Sequence, residues 1–218
     1  RPAQRRLALT YMGNIHLLLS LPEHALDFFE QAAGNTRDGQ TVLVDALRAI
    51  ALIQLGNIQE GRTLLATTHE QPHPDAYTRQ RLALLHITGL ALLNDFMACS
   101  EHALQFVDTS ARDNPLMRTR GLRWLGYANH SLGSNRAIVS LQEALTNEGI
   151  YGGRDLWICH YLMALCAYDD DHAQVHYGHA ARILHRWVDD LKSRPTLQQS
   201  FLHSSVVQNI LQLADPSR

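Results

Sequence analysis

The sequence predicts an all-α protein, a solenoid of about five helical hairpins closed by a C-terminal capping helix. Three observations predict it. First, "LPEHALDFFEQAA" from Leu21 and "CSEHALQFVDTSA" from Cys99 write nearly the same amphipathic helix twice. Second, a small residue followed one turn later by a large one recurs along the chain. The anchors Ala25, Gly61, Ala103, Ala137 and Ala173 are separated by 36, 42, 34 and 36 residues. Third, Leu and Ala are abundant while Pro and β-branched residues are sparse, a composition that favours helix.

The first hairpin is expected over about 5–37. Leu9, Met12, Gly13, His16 and Leu17 have helical spacing, and the break Ser20-Leu21-Pro22 precedes a helix with Ala25, Phe29 and Ala32 on one stripe. Pro22 stands in the first turn, where its missing N–H costs nothing. The second hairpin, about 39–71, carries Ala49, Leu52 and Gly56, then Gly61, Leu65 and Thr68. The third, about 76–112, carries Leu90 and Ala91, then Ala103, Val107 and Ser110. The fourth, about 114–148, carries Leu125, Gly126 and Gly133, then Ala137, Leu141 and Ala144. The fifth, about 153–192, carries Ala173, Tyr177 and Ala180. Residues 196–213 form one amphipathic capping helix, and the whole chain, 1–218, is expected to be a single domain. A single hairpin cannot bury its own apolar stripe, and stacking makes the core continuous.

The pattern resembles the tetratricopeptide repeat. The best match is "WLGYANHSLGSNRAIVSLQEAL", with Leu125-Gly126, the turn glycine Gly133 and the trio Ala137, Leu141 and Ala144. The first unit matches at Gly13, Ala25, Phe29 and Ala32, whereas the second and third put Ala49 and Ala91 where the family has glycine. The resemblance covers roughly 5–190 and implies a right-handed α–α superhelix. The drifting unit length and the connectors "HEQPHPDAYTRQ" and "TNEGIYGGRDLW" resemble the C-terminal arrays of large bacterial signal-transducing regulators, the MalT-like and SARP-like proteins. The tail "TLQQSFLHSSVVQNILQLA" is similar to the ending of many such arrays at Phe201-Leu202, Val206-Val207, Asn209 and Ile210-Leu211.

Composition narrows the functional classes. Nineteen basic and 21 acidic residues give a net charge of −2, without the dense basic face that grips a phosphate backbone. No direct nucleic-acid contact is therefore expected. No apolar run approaches a membrane span, and the three cysteines, Cys99, Cys159 and Cys166, form no C-x-x-C pair. These features predict a cytoplasmic, membrane-free protein with buried thiols. No phosphate loop, dinucleotide fingerprint, H-E-x-x-H or G-x-S-x-G is present, so neither an enzyme nor a cofactor is expected. The chain opens at Arg1 without Met, and "RPAQRR" reads as the end of an upstream helix or linker, which predicts a piece of something longer.

Candidate binding residues follow from the resemblance, in which the first helix of each hairpin lines a concave groove. They are Thr10 and Asn14, Gln54, Thr88, and then Arg120, Arg123, Tyr127 and His130 on one helical face. Two arginines beside a tyrosine suit a carboxylate or phosphate. The alternative is an ordinary solvated helix face. The occupant would be a peptide or protein, or a small anionic ligand, and self-association through the solenoid ends would give a homodimer.

Histidine is over-represented, with 13 residues. His172, His176 and His179 recur at i, i+4 and i+7, spacing that chelates Zn²⁺ or Ni²⁺. The competing reading places them on a solvated flank beside Ala173, Tyr177 and Ala180, with Asp169, Asp170 and Asp171 as turn and N-cap. Cys159, Cys166 and His160 could form a nucleophile or redox pair, or two buried thiols. The leading expectation is a non-catalytic sensor or interaction module of a bacterial transcriptional regulator. The alternative is a scaffold without a switch.

Overall fold

The computed structural model describes residues 2–33, 39–69, 73, 75–151 and 156–215, without the side chains of 2, 39, 40 and 148–151. The expected hairpin ends at 37 and 71, the fifth hairpin's start at 153, and parts of both long connectors lie outside the described residues. The described residues are helical almost throughout and contain no strand. They divide into two compact units, Arg1–Phe106 and Val107–Arg218, where the sequence reading expects a single domain. The boundary falls inside the third expected hairpin, where the helix widens into a π-helical turn, Phe106–Ser110.

The first unit holds three hairpins: α1 (Pro2–Leu18) with α2 (Pro22–Ala32), α3 (Gly39–Gln54) with α4 (Ile58–His69), and α5 (Ala76–Leu92) with α6 (Phe96–Gln105). All three turn in the same way. Ser20, Gly56 and Asn94 adopt left-handed backbone, with φ of 58°, 84° and 58°. The next N–H reaches back five residues to the helix it leaves: Leu21 to the His16 carbonyl at 2.8 Å, Asn57 to Leu52 at 2.9 Å, and Asp95 to Leu90 at 3.0 Å. This is a Schellman C-cap, which satisfies carbonyls that the helix end would otherwise orphan. Asp75 and Asp95 cap the starts of α5 and α6, accepting from the Thr78 and Ala98 amides at 2.7 and 3.3 Å.

The core of this unit is built on α3. Val42, Leu43, Val44, Ala46, Leu47 and Ala51 pack with Ala25, Phe29 and Ala32 of α2 and with Leu82 of α5. Ala49, Ile50 and Ile53 meet Leu65 of α4. Burial of each of the larger side chains contributes about 1.5–3 kcal/mol. Close approach depends on missing Cβ atoms. Phe29 lies where a Cβ on Gly13 would go, and Leu65 lies where one on Gly89 would go.

The second unit holds α7 (Pro115–Ser131) with α8 (Arg136–Tyr151) and α9 (Leu156–Leu165) with α10 (Asp170–Asp190), followed by α11 (Pro195–His203) and α12 (Ser205–Leu213). The turn after α7 repeats the Schellman cap at Gly133 (φ 69°), with Ser134 N–H on the Asn129 carbonyl at 2.8 Å. Asn114 and Asp169 cap α7 and α10 at 3.3 and 2.8 Å. The core joins Val107, Leu122, Ala144 and Cys159, and Leu141 with Leu162 and Met163.

Among the described residues, three hairpins thus lie in the first unit, and two hairpins and a C-terminal cap in the second. The cap is two helices, not the continuous one expected over 196–213. Ser204 takes extended backbone (φ −59°, ψ 126°) and breaks it. The bend lets Phe201 stack on Trp187 at 5.7 Å while Val207 and Ile210 become buried. Among the described residues, no helix is long and apolar enough to cross a membrane.

Candidate functional site

The expected groove residues fall in two sets. In the first unit the Thr10 hydroxyl donates to the Arg6 carbonyl at 2.8 Å and the Thr88 hydroxyl to the Leu84 carbonyl at 2.9 Å, so both satisfy their own helices. Asn14 is half-buried, and Gln54 is exposed at the end of α3. A shallow depression of about 550 Å³ lies nearby, lined by Arg48 of α3 and by Gln59, Glu60, Thr63, Leu64 and Thr67 of α4.

In the second unit the face of α7 carrying Arg120, Arg123, Tyr127 and His130 is partly covered. Tyr127 packs against the Leu141, Leu162 and Met163 cluster, and His130 Nδ1 lies 3.3 Å from Cys166 Sγ. Arg123 is only 7% exposed, with its guanidinium 5.2 Å from the Trp124 ring. Its guanidinium is covered by the fold and not presented to solvent. Arg120 and Tyr127 remain half-buried. Arg118 of the same helix pairs with a carboxylate. Its Nε and Nη2 donate to Glu143 Oε1 at 3.0 and 2.8 Å, and its Nη1 donates to the Val107 carbonyl at 2.8 Å.

The histidines gather by tertiary contact. His172, His176 and His179 do not form one group. His172 turns to its own N-cap, with Nδ1 2.8 Å from Asp169 Oδ1, and its Nε2 meets the Tyr168 hydroxyl at 2.8 Å. His176 and His179 instead collect on His160 of α9. His160 and His176 share a hydrogen bond between Nδ1 atoms at 3.0 Å, and His179 stacks on His160 at 4.8 Å. Arg182 adds a guanidinium 3.0 Å from His179 Nδ1. Burial first, then the neighbouring His179, His176 and Arg182, push His160 down to about 4.

A second trio lies in the first unit. His69 ends α4, His86 sits in the middle of α5, and His102 is in α6. The His69 and His86 rings stack at 3.9 Å and 10°, and His102 stands edge-on to both at 6.0 and 5.1 Å. One ring nitrogen from each lies within 4.8 Å of the other two. Burial, then His69 and His102, push His86 down to about 4, so its imidazole is neutral at neutral pH. Sequence spacing missed it, because the three residues come from three helices. The one available signal was the repeated Glu-His-Ala-Leu, which contributes His102.

The surroundings of Cys99 and Cys166 disfavour the thiolate. Cys99 and Cys159 are fully buried. Burial and Asp95 push Cys99 up to about 12, and burial raises Cys166 although His130 is adjacent.

No protein-family model matches the chain, and neither does any curated protein. Among solved structures, the chain is similar to the crystal structure of a Signal Transduction ATPase with Numerous Domains (STAND) protein with a tetratricopeptide repeat sensor, from Pyrococcus horikoshii. The TM-score is 0.65 at 16% identity, over 96% of this chain and 32% of that one. The chain thus spans about a third of that protein's length. The likeness shows the fold, an α–α array of the tetratricopeptide type.

Proposed function

We propose that this chain is a non-catalytic binding module, the sensor or interaction region of a signal-transducing regulator. The observation that supports it is the five-hairpin array, similar over 96% of its length to a STAND protein with a tetratricopeptide repeat sensor. A bacterial transcriptional regulator of the MalT-like or SARP-like kind fits the drifting repeat length and the tail sequence.

The mechanism would rest on differential affinity. A peptide, protein or small anionic ligand that touches several hairpins binds better to one arrangement of the array than to another, and so shifts the parent protein between resting and active populations. Arg120 and Asn14 are half-buried polar side chains that such a ligand could reach. Sequencing the open reading frame that encodes these residues tests the regulator reading. A nucleotide-binding ATPase or DNA-binding domain in the same polypeptide is the expected result. An open reading frame with neither domain leaves a scaffold and sinks the switch.

A further inference from the structure

We propose that His69, His86 and His102 form a binding site for a divalent transition-metal ion of the Zn²⁺ class. The inference is independent of the sensor reading.

The donor set carries the argument. One nitrogen from each ring lies within 4.8 Å of the other two. A tetrahedral ion with Zn–N bonds of about 2.0–2.1 Å needs its nitrogens roughly 3.3 Å apart. Side-chain rotation closes that gap, chiefly by swinging His69 out of its stack on His86. His69 is exposed at the end of α4, whereas the other two are half-buried. His86 Nδ1 is buried and has no hydrogen-bond partner, a cost that a metal bond or a second-shell acceptor would remove.

The backbone under the trio is firmly placed. Each histidine adjoins a buried residue: Thr68 beside His69, Ile87 beside His86, and Ala103 beside His102. The Thr68 hydroxyl bonds the Leu65 carbonyl at 2.8 Å, and Cys99 Sγ lies 3.6 Å from the Ile87 carbonyl. Three imidazole nitrogens without a carboxylate select Zn²⁺, Ni²⁺, Co²⁺ or Cu²⁺ over Mg²⁺ and Ca²⁺. Three protein ligands leave a fourth position open to water or to an acidic group from a bound partner. The ion would join α4 of the second hairpin to α5 and α6 of the third.

Two comparisons within the chain sharpen the assignment. Among the described residues, His24, from the other Glu-His-Ala-Leu, meets one histidine, His16, whose Nδ1 is already 2.8 Å from the Met12 carbonyl. In the His160 trio, His160 and His176 spend their Nδ1 atoms on each other, and the Arg182 guanidinium stands at His179. A cation is disfavoured there.

The test uses the full 218-residue chain without a histidine tag, stripped with chelator and titrated with Zn²⁺ by calorimetry at neutral pH. One equivalent should bind, and His69→Ala and His102→Gln should each weaken it at least about tenfold, while His176→Gln leaves it unchanged. Circular dichroism of the metal-free variants checks the fold, and exposed His69 gives a variant that keeps it. Co²⁺ should show the visible bands of a tetrahedral site in the parent chain and lose them in His69→Ala. No saturable Zn²⁺ binding overturns the proposal. So does binding that survives His69→Ala and His102→Gln and disappears in His176→Gln.

Discussion

Gly126 and Leu141 face each other so closely that a Cβ on the glycine would stand 2.5 Å from Leu141 Cγ. Leu141 is fully buried and cannot move aside. Gly126→Ala should therefore destabilise the second unit. Overpacking costs about 1–3 kcal/mol, and helix propensity returns up to about 1. Leu141→Ala alone should cost about 2–5 kcal/mol. In the Leu141→Ala background, Gly126→Ala should become neutral or stabilising. Denaturant unfolding of the four proteins measures this coupling, and additive effects would contradict the packing account.

The repeated Schellman turn makes an opposite pair of predictions. Ser20 and Asn94 hold the left-handed backbone that Gly56 and Gly133 hold elsewhere. Ser20→Gly should raise the melting temperature, because a non-glycine residue costs about 1–2 kcal/mol there. Gly133→Ala should lower it, although a Cβ at Gly133 meets nothing within 4 Å. Differential scanning calorimetry checks both signs.

Arg118 binds both Glu143 and the Val107 carbonyl, whereas Glu143 offers only its half of the ion pair. Glu143→Gln should cost no more than about 1 kcal/mol, since the pair is partly exposed. Arg118→Gln should cost more, because it also removes a hydrogen bond worth about 0.5–1.5 kcal/mol. High salt should weaken the parent protein more than Arg118→Gln.

His160 sets a pH dependence. Its native pKa is about 4, below the ordinary value of 6.5. Between those values the unfolded chain binds a proton that the native chain does not, so this contribution is complete above 6.5 and is lost as pH falls towards 4. His86 is lowered to about 4 as well and contributes over the same range, and His176 and His179 move in the same direction. The lowered carboxylates Asp75, Asp169 and Asp189 titrate below 3.8 and do not interfere. Stability should fall between pH 6.5 and 5, and His160→Gln should flatten the log K slope by up to about one proton.

The hairpins were legible because their signal is local. Ala25, Phe29, Ala103, Ala137, Leu141 and Ala144 are all 0–2% exposed, as the small–large spacing requires. The turns were only half legible, because serine and asparagine at positions 20 and 94 do not announce a left-handed cap. Helical phasing put Arg123 on a face with Arg120 and Tyr127, yet could not know that neighbouring elements would bury it. Phasing also grouped His172 with His176, whereas Asp169 holds His172 locally. The His69 trio was out of reach, because hairpin stacking alone brings those three residues together.

A thermal-shift screen against anionic metabolites, nucleotides and short peptides tests most directly whether this array is a binding module. A ligand at about a hundred times its Kd should add about 2.7 kcal/mol, a rise of several degrees. At least one class should produce that rise, and Arg120→Ala should diminish it for an anionic ligand. A flat response to all three classes would contradict a sensor of small ligands or peptides and leave a folded protein as the occupant.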